Sequence, residues 1–152
     1  MCRPGTCHTL SAMDNIFCPF ARTLLSTQNG CTHSTRYCIG ERVSAACDST
    51  AASTDCTALA QLLRENARFA LGVTDTAGRL AFGKELKVLY GGLAGLQELV
   101  STGTVVSDRV SDIHALVAGA LQRYGTLQDI PYQHIVKHIS AYRPARRARP
   151  PR

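Results

Sequence analysis

Tryptophan is absent from the 152-residue chain, and aromatic residues make up only 6% of it. No apolar run approaches the roughly 18 residues a helix needs to cross a membrane, so a spanning segment is not expected. Residues 1–8 lack a basic stretch leading into an apolar one, which argues against a secretory signal. There is no Cys-x-x-Cys pair, so the compact ligand pairs of common zinc modules are missing. Gly91, Gly92 and Gly95 are followed by no Lys-Ser or Lys-Thr, and Gly83-Lys84 has no preceding glycine frame. A phosphate-binding loop is therefore excluded.

What is present is a globular composition, 45% hydrophobic and 18% charged, at a length that suits one domain or a small domain with an appended segment. The net charge of +6 is unevenly placed. Residues 1–56 balance four bases (Arg3, Arg22, Arg36, Arg42) against four acids (Asp14, Glu41, Asp48, Asp55), so the whole excess falls in residues 57–152. All seven cysteines lie in the first stretch: Cys2, Cys7, Cys18, Cys31, Cys38, Cys47 and Cys56. An odd number without a signal points to reduced thiols, a metal site or small hydrophobes rather than a secreted disulfide framework.

Hydrophobic spacing predicts a mostly α protein, a small bundle of three or four helices. Residues 1–54 read as a Cys/Ser/Thr-rich segment, weakly structured or metal-stabilised, with one apolar helical stretch at 16–25 and a small, polar linker at 44–55. The boundary falls near residue 54, and residues 55–142 form the bundle. Its first helix covers 57–71, capped by Thr54 or Asp55, with Leu59, Leu62, Leu63, Ala67, Ala70 and Leu71 as its buried stripe. The second covers 79–100, with Leu86, Leu89, Tyr90, Leu93, Leu96 and Val100 on one face. Its glycines either let another helix approach closely or split it near Gly91-Gly92. The third covers 107–124, capped by Ser107 or Asp108, burying Val110, Ile113, Val117, Ala120, Leu121 and Tyr124 and stopped by Gly125. A fourth follows Asp129 and Pro131 and docks through Ile135, Val136 and Ile139. So small a core is only marginally supported by burial alone, so the second or third helix is expected to mediate oligomerisation.

Candidate chemistry is sparse. Zinc prefers thiolate sulfur and imidazole nitrogen, and Cys7, Cys31, His33 and Cys38 are the set that would hold it. The competing reading is a reduced segment whose cysteines bind nothing, and no other cofactor is expected. His134 and His138 stand four apart on one helical face, but position 135 is Ile135 and no acidic residue is close in sequence. They read as two partly exposed histidines. A nucleophile drawn from the cysteines with His114 and Asp112 has no local signature, so the chain is not expected to be an enzyme.

The most informative feature is the end, residues 143–152. Arg143, Arg146, Arg147, Arg149 and Arg152 alternate with prolines and alanines, so the segment should be extended and solvated. Arginines so spaced can each contact a phosphate and release counterions. The expected role is therefore nucleic-acid binding, with RNA as partner, in an intracellular protein of the cytoplasm or nucleus. The alternative is a protein-interaction or regulatory factor whose basic end is a nuclear or nucleolar address.

The layout of cysteine-rich front, helical back and basic end resembles that of small viral accessory proteins, including cysteine-rich suppressors of RNA silencing. The segment Ala141-Tyr142-Arg143-Pro144 resembles one in the hepadnavirus core protein, which is also helical and ends in an RNA-binding arginine- and proline-rich tail. The resemblance implies an accessory or capsid-type role, and no functional residue is carried over from either family.

Overall fold

A computed structural model describes residues 16–26, 29–73, 79–101 and 109–143. The described chain is mostly helical. In order it forms α1 (Ala21–Leu25), β1 (Ser34–Ile39), β2 (Arg42–Cys47), α2 (Thr50–Ala67), α3 (Phe82–Val100), α4 (Ile113–Tyr124) and α5 (Tyr132–Ala141). The helix count thus exceeds the three or four expected, and a two-stranded sheet is added.

The hairpin corrects the reading of the front as weakly structured. β1 and β2 pair antiparallel, from Ser34 opposite Cys47 to Ile39 opposite Arg42, around a two-residue loop. Gly40 has a φ of +60° there, a conformation that suits glycine at the first position of a tight hairpin turn. Ile16 forms an isolated antiparallel bridge with Cys47. Phe20, Leu24 and Ala45 lie in the same hydrophobic cluster as the bundle residues. The apolar stretch at 16–25 supplies only the short helix α1, in whose last turn the Leu24 carbonyl accepts from Arg36 Nη2 at 3.1 Å. Residues 1–15 lie outside the described residues.

The 44–55 stretch is no linker. It supplies the end of β2 and the start of α2, which runs through residue 54, where the boundary was expected. The cap is Ser49, whose side chain accepts from Ala52 N, rather than Thr54 or Asp55. Thr54 instead donates back to the Thr50 carbonyl. Small size is what allows this stretch to pack: Ala52, Ser53 and Cys56 are buried, and Ser53 Oγ donates to the Phe17 carbonyl.

Helix α3 passes unbroken through Gly91-Gly92, which resolves the two alternatives for that pair in favour of close approach. It packs most extensively against α5. Its buried face, Val88, Leu89, Leu93 and Leu96, meets Leu59 and Leu63 of α2, Ile113, Val117 and Ala120 of α4, and Ile135 and Ile139 of α5 in one core. The apolar stripes of α3 and α4 are therefore packed within the chain. Gly125 ends α4 as expected, with a φ of +81° and its N–H on the Leu121 carbonyl. Asp129 does not cap α5; it closes a local turn with Thr126. Among the described residues no helix is long and apolar enough to cross a membrane.

The start of α4 also departs from expectation, for a tertiary reason. Residues 102–108 lie outside the described residues, and the cap is Asp112, which accepts from His114 N at 3.0 Å. The same carboxylate receives the backbone N–H and the hydroxyl of Thr32. Backbone bonds Gly30 N to Val110 O and Ile113 N to Gly30 O, each 2.9 Å, complete a clasp between the front and α4. Partial burial works against the charge on Asp112, but hydrogen bonds from Thr32, Ala115 and His114 outweigh it and hold its carboxyl below the usual range. Its stabilisation is present above the ordinary carboxyl pKa and is lost as pH falls through the depressed one. Asp112→Ala should cost about 0.5–2 kcal/mol, the usual range for a lost cap. Urea unfolding should show the difference at pH 7 and a smaller one in acid.

Candidate functional site

The basic end begins where α5 stops. Tyr142 closes the helix with its N–H on the His138 carbonyl, and its ring stacks on Tyr90 at 5.5 Å between centroids. Arg143 turns its guanidinium toward the backbone, with Nη1 3.2 Å from the Ser140 carbonyl, where a helix leaves acceptors unsatisfied. Arg146, Arg147, Arg149 and Arg152 lie outside the described residues. Asp129 is the last acidic residue; residues 130–152 carry Lys137 and the five arginines, so the remainder of the chain is neutral.

A second basic surface is found only in three dimensions. An open groove of about 620 Å³ is bordered by Arg22, Arg64, Arg68 and Arg79, with Glu85 as its one acid. Glu85 holds Arg64 through a two-pronged contact, Nε to Oε1 at 3.0 Å and Nη2 to Oε1 at 2.5 Å. Phe17 and Phe82 also line the groove and are about two-thirds exposed, and the Arg22 guanidinium lies 4.9 Å from the Phe82 ring centre.

The cysteines gather differently from the expected set. Cys7 lies outside the described residues, and Cys38 is disulfide-bonded, so it offers no thiolate. Cys31 and His33 do meet, but at a cavity of about 20 Å³ shared with Cys18, Cys47, Cys56 and His114. That space holds about one water-sized body. Burial pushes the Cys18 thiol up to about 11 and the Cys56 thiol up to about 12, and it raises Cys31 as well. Protonated thiols of this kind pack as small hydrophobes. His33 Nδ1 is 2.6 Å from Asp48 Oδ1, and the His33 ring meets that of His114 edge to face at 4.3 Å. Cys31, His33 and Cys38 do not converge on a point among the described residues. Nor does Asp112 orient the imidazole of His114: it binds the backbone N–H of that residue.

One group does converge. Glu98 on α3 comes up against His134 and His138 on α5, and their ligating atoms all lie within 4.8 Å of one another. Glu98 Oε2 is 3.3 Å from His134 Nε2 and also pairs with His138 Nε2. Hydrogen bonding from His134 leads the effects that hold the Glu98 carboxyl below its usual range. The acidic partner that the sequence lacked nearby is thus supplied 36 residues upstream of His134.

No family model matches the chain, and no match was found among curated proteins or solved structures.

Proposed function

We propose that this chain is a non-enzymatic nucleic-acid-binding protein with RNA as its ligand, held through Arg143, Arg146, Arg147, Arg149 and Arg152. The observation that supports this reading is the placement of charge: a neutral body ends in residues 130–152, which contain six Lys/Arg and no acid. Arginine forks suit phosphate oxygens, and a row of them can follow a backbone without reading bases. The groove of Arg22, Arg64, Arg68 and Arg79 favours the same partner. Its exposed Phe17 and Phe82 are the kind of ring on which unstacked bases settle beside basic side chains.

The test is deletion of residues 143–152 followed by filter binding to single-stranded RNA across a salt series. Affinity at moderate salt should fall at least tenfold. Five phosphate contacts at about 0.7 each should take roughly 3.5 off the slope of log affinity against log salt. Unchanged affinity and slope would reject the reading. If such a deletion changed only the distribution of the protein in the cell, the basic end would be an address.

A further inference from the structure

Gly91, Gly95 and Glu98 follow one another at helical spacing and share a stripe of α3. That stripe lies directly on α5. A Cβ at Gly91 would sit 2.6 Å from Ile139 Cα, and one at Gly95 would sit 3.0 Å from Ile135 Cα and 3.2 Å from His138 Cβ. Backbone therefore meets backbone along the first two turns of the stripe. One turn farther on along the same stripe stands the carboxylate Glu98. Opposite it are His134 and His138, whose rings lie 5.3 Å apart, tilted by 48°. Both present Nε2 to the same oxygen, Glu98 Oε2.

We propose that Glu98, His134 and His138 form a zinc site. Metal–ligand bonds of about 2.0–2.1 Å in tetrahedral array place ligand atoms roughly 3.3 Å apart, the separation seen between Glu98 Oε2 and His134 Nε2; His138 Nε2 lies closer to that oxygen and would draw back to admit the ion. Two imidazoles and one carboxylate are a donor set suited to Zn²⁺; Ca²⁺ and Mg²⁺ take oxygen ligands instead. The side chains are 34–42% exposed, so an ion can enter from solvent and water can complete its shell. A single cation between the three side chains would satisfy all of their ligating atoms at once. Bound zinc would pin α5, which leads into the basic end, to α3. The site stands whether or not that end binds nucleic acid.

The experiment is zinc titration by calorimetry of the full chain after chelator treatment, with thermal melts and cobalt spectra. The wild-type chain should bind zinc and melt higher with it. His134→Ala/His138→Ala should lose one equivalent and the melting shift. Glu98→Gln, which keeps the shape and removes the charge, should bind at least about tenfold more weakly. Gln133→Ala, on the exposed side of α5, should behave as wild type. Cobalt at this site should lack a thiolate charge-transfer band. Equal stoichiometry and affinity in the double variant would overturn the proposal, as would a cobalt spectrum whose signal is wholly thiolate.

Discussion

Phe20→Ala should destabilise the whole bundle by about 3–5 kcal/mol, the range for deleting a buried aromatic side chain. Phe20 is 1% exposed and belongs to the cluster that includes Leu59, Leu89 and Ile113. The site has little capacity to collapse. The Phe20 ring shares a small cavity with Cys47 at the end of β2, whose strands are paired by a fixed register, and with Ala52, Ser53 and Cys56 of α2. A cavity already sits beside the ring, so the truncation enlarges a void instead of being absorbed by repacking. At roughly 2–4 °C per kcal/mol for a domain of this size, the melting temperature should fall by about 6–20 °C. The measurement is a thermal melt followed by far-ultraviolet circular dichroism, which is dominated by α2 to α5. If residues 16–47 were an independent appendage, that helical signal would melt where the wild type does. A shift below about 2 °C would therefore show that the front and the bundle do not share a core.

The parts of this fold that could be read from the chain are those with large side chains at regular spacing. Leu59 and Leu63, Leu89 and Leu93, and Ile135 and Ile139 repeat at three or four residues, and all are buried where that spacing places them. The hairpin and the start of α2 escaped because Ala45, Ala46, Ala52 and Ser53 carry almost no hydrophobic signal. They are buried because they are small enough for elements to close over them, a property of their neighbours rather than of their own polarity. The cap of α4 escaped for another reason. Ser107, Asp108 and Asp112 are equivalent as local caps, and what distinguishes Asp112 is Thr32, 80 residues away. The zinc group was half visible. His134 and His138 declared a shared face, but their third partner lies on another helix. The glycine stripe was the available clue, since the reading of Gly91 and Gly95 as a close approach extends, one turn on, to Glu98.

Gly91→Ala is the substitution that tests that stripe, and its effect is a contest between two terms. Alanine favours a helix interior by about 1 kcal/mol over glycine. Against this stands a contact of 2.6 Å with Ile139 Cα and of 3.0 Å with both His138 O and Ile139 N, all of them backbone atoms. No rotamer can relieve it, so α5 must move outward, lifting Ile135 and Ile139 from positions that are fully buried. Overpacking of this kind costs about 1–3 kcal/mol and more when main chain must shift. The net change should therefore be a loss of up to about 2 kcal/mol, read as a lower urea midpoint. Gly83→Ala supplies the opposite sign in the same helix. Nothing lies within 4 Å of its added methyl, so a gain of roughly 0.4–1 kcal/mol is expected. The outward shift of α5 also carries His134 and His138 away from Glu98, so Gly91→Ala should weaken zinc binding although it alters no ligand. Glu98→Gln should weaken it with little loss of stability. Were Gly91→Ala to stabilise the protein as Gly83→Ala does, the two helices could not be in backbone contact, and the geometry that brings the three ligands together would fall with that contact.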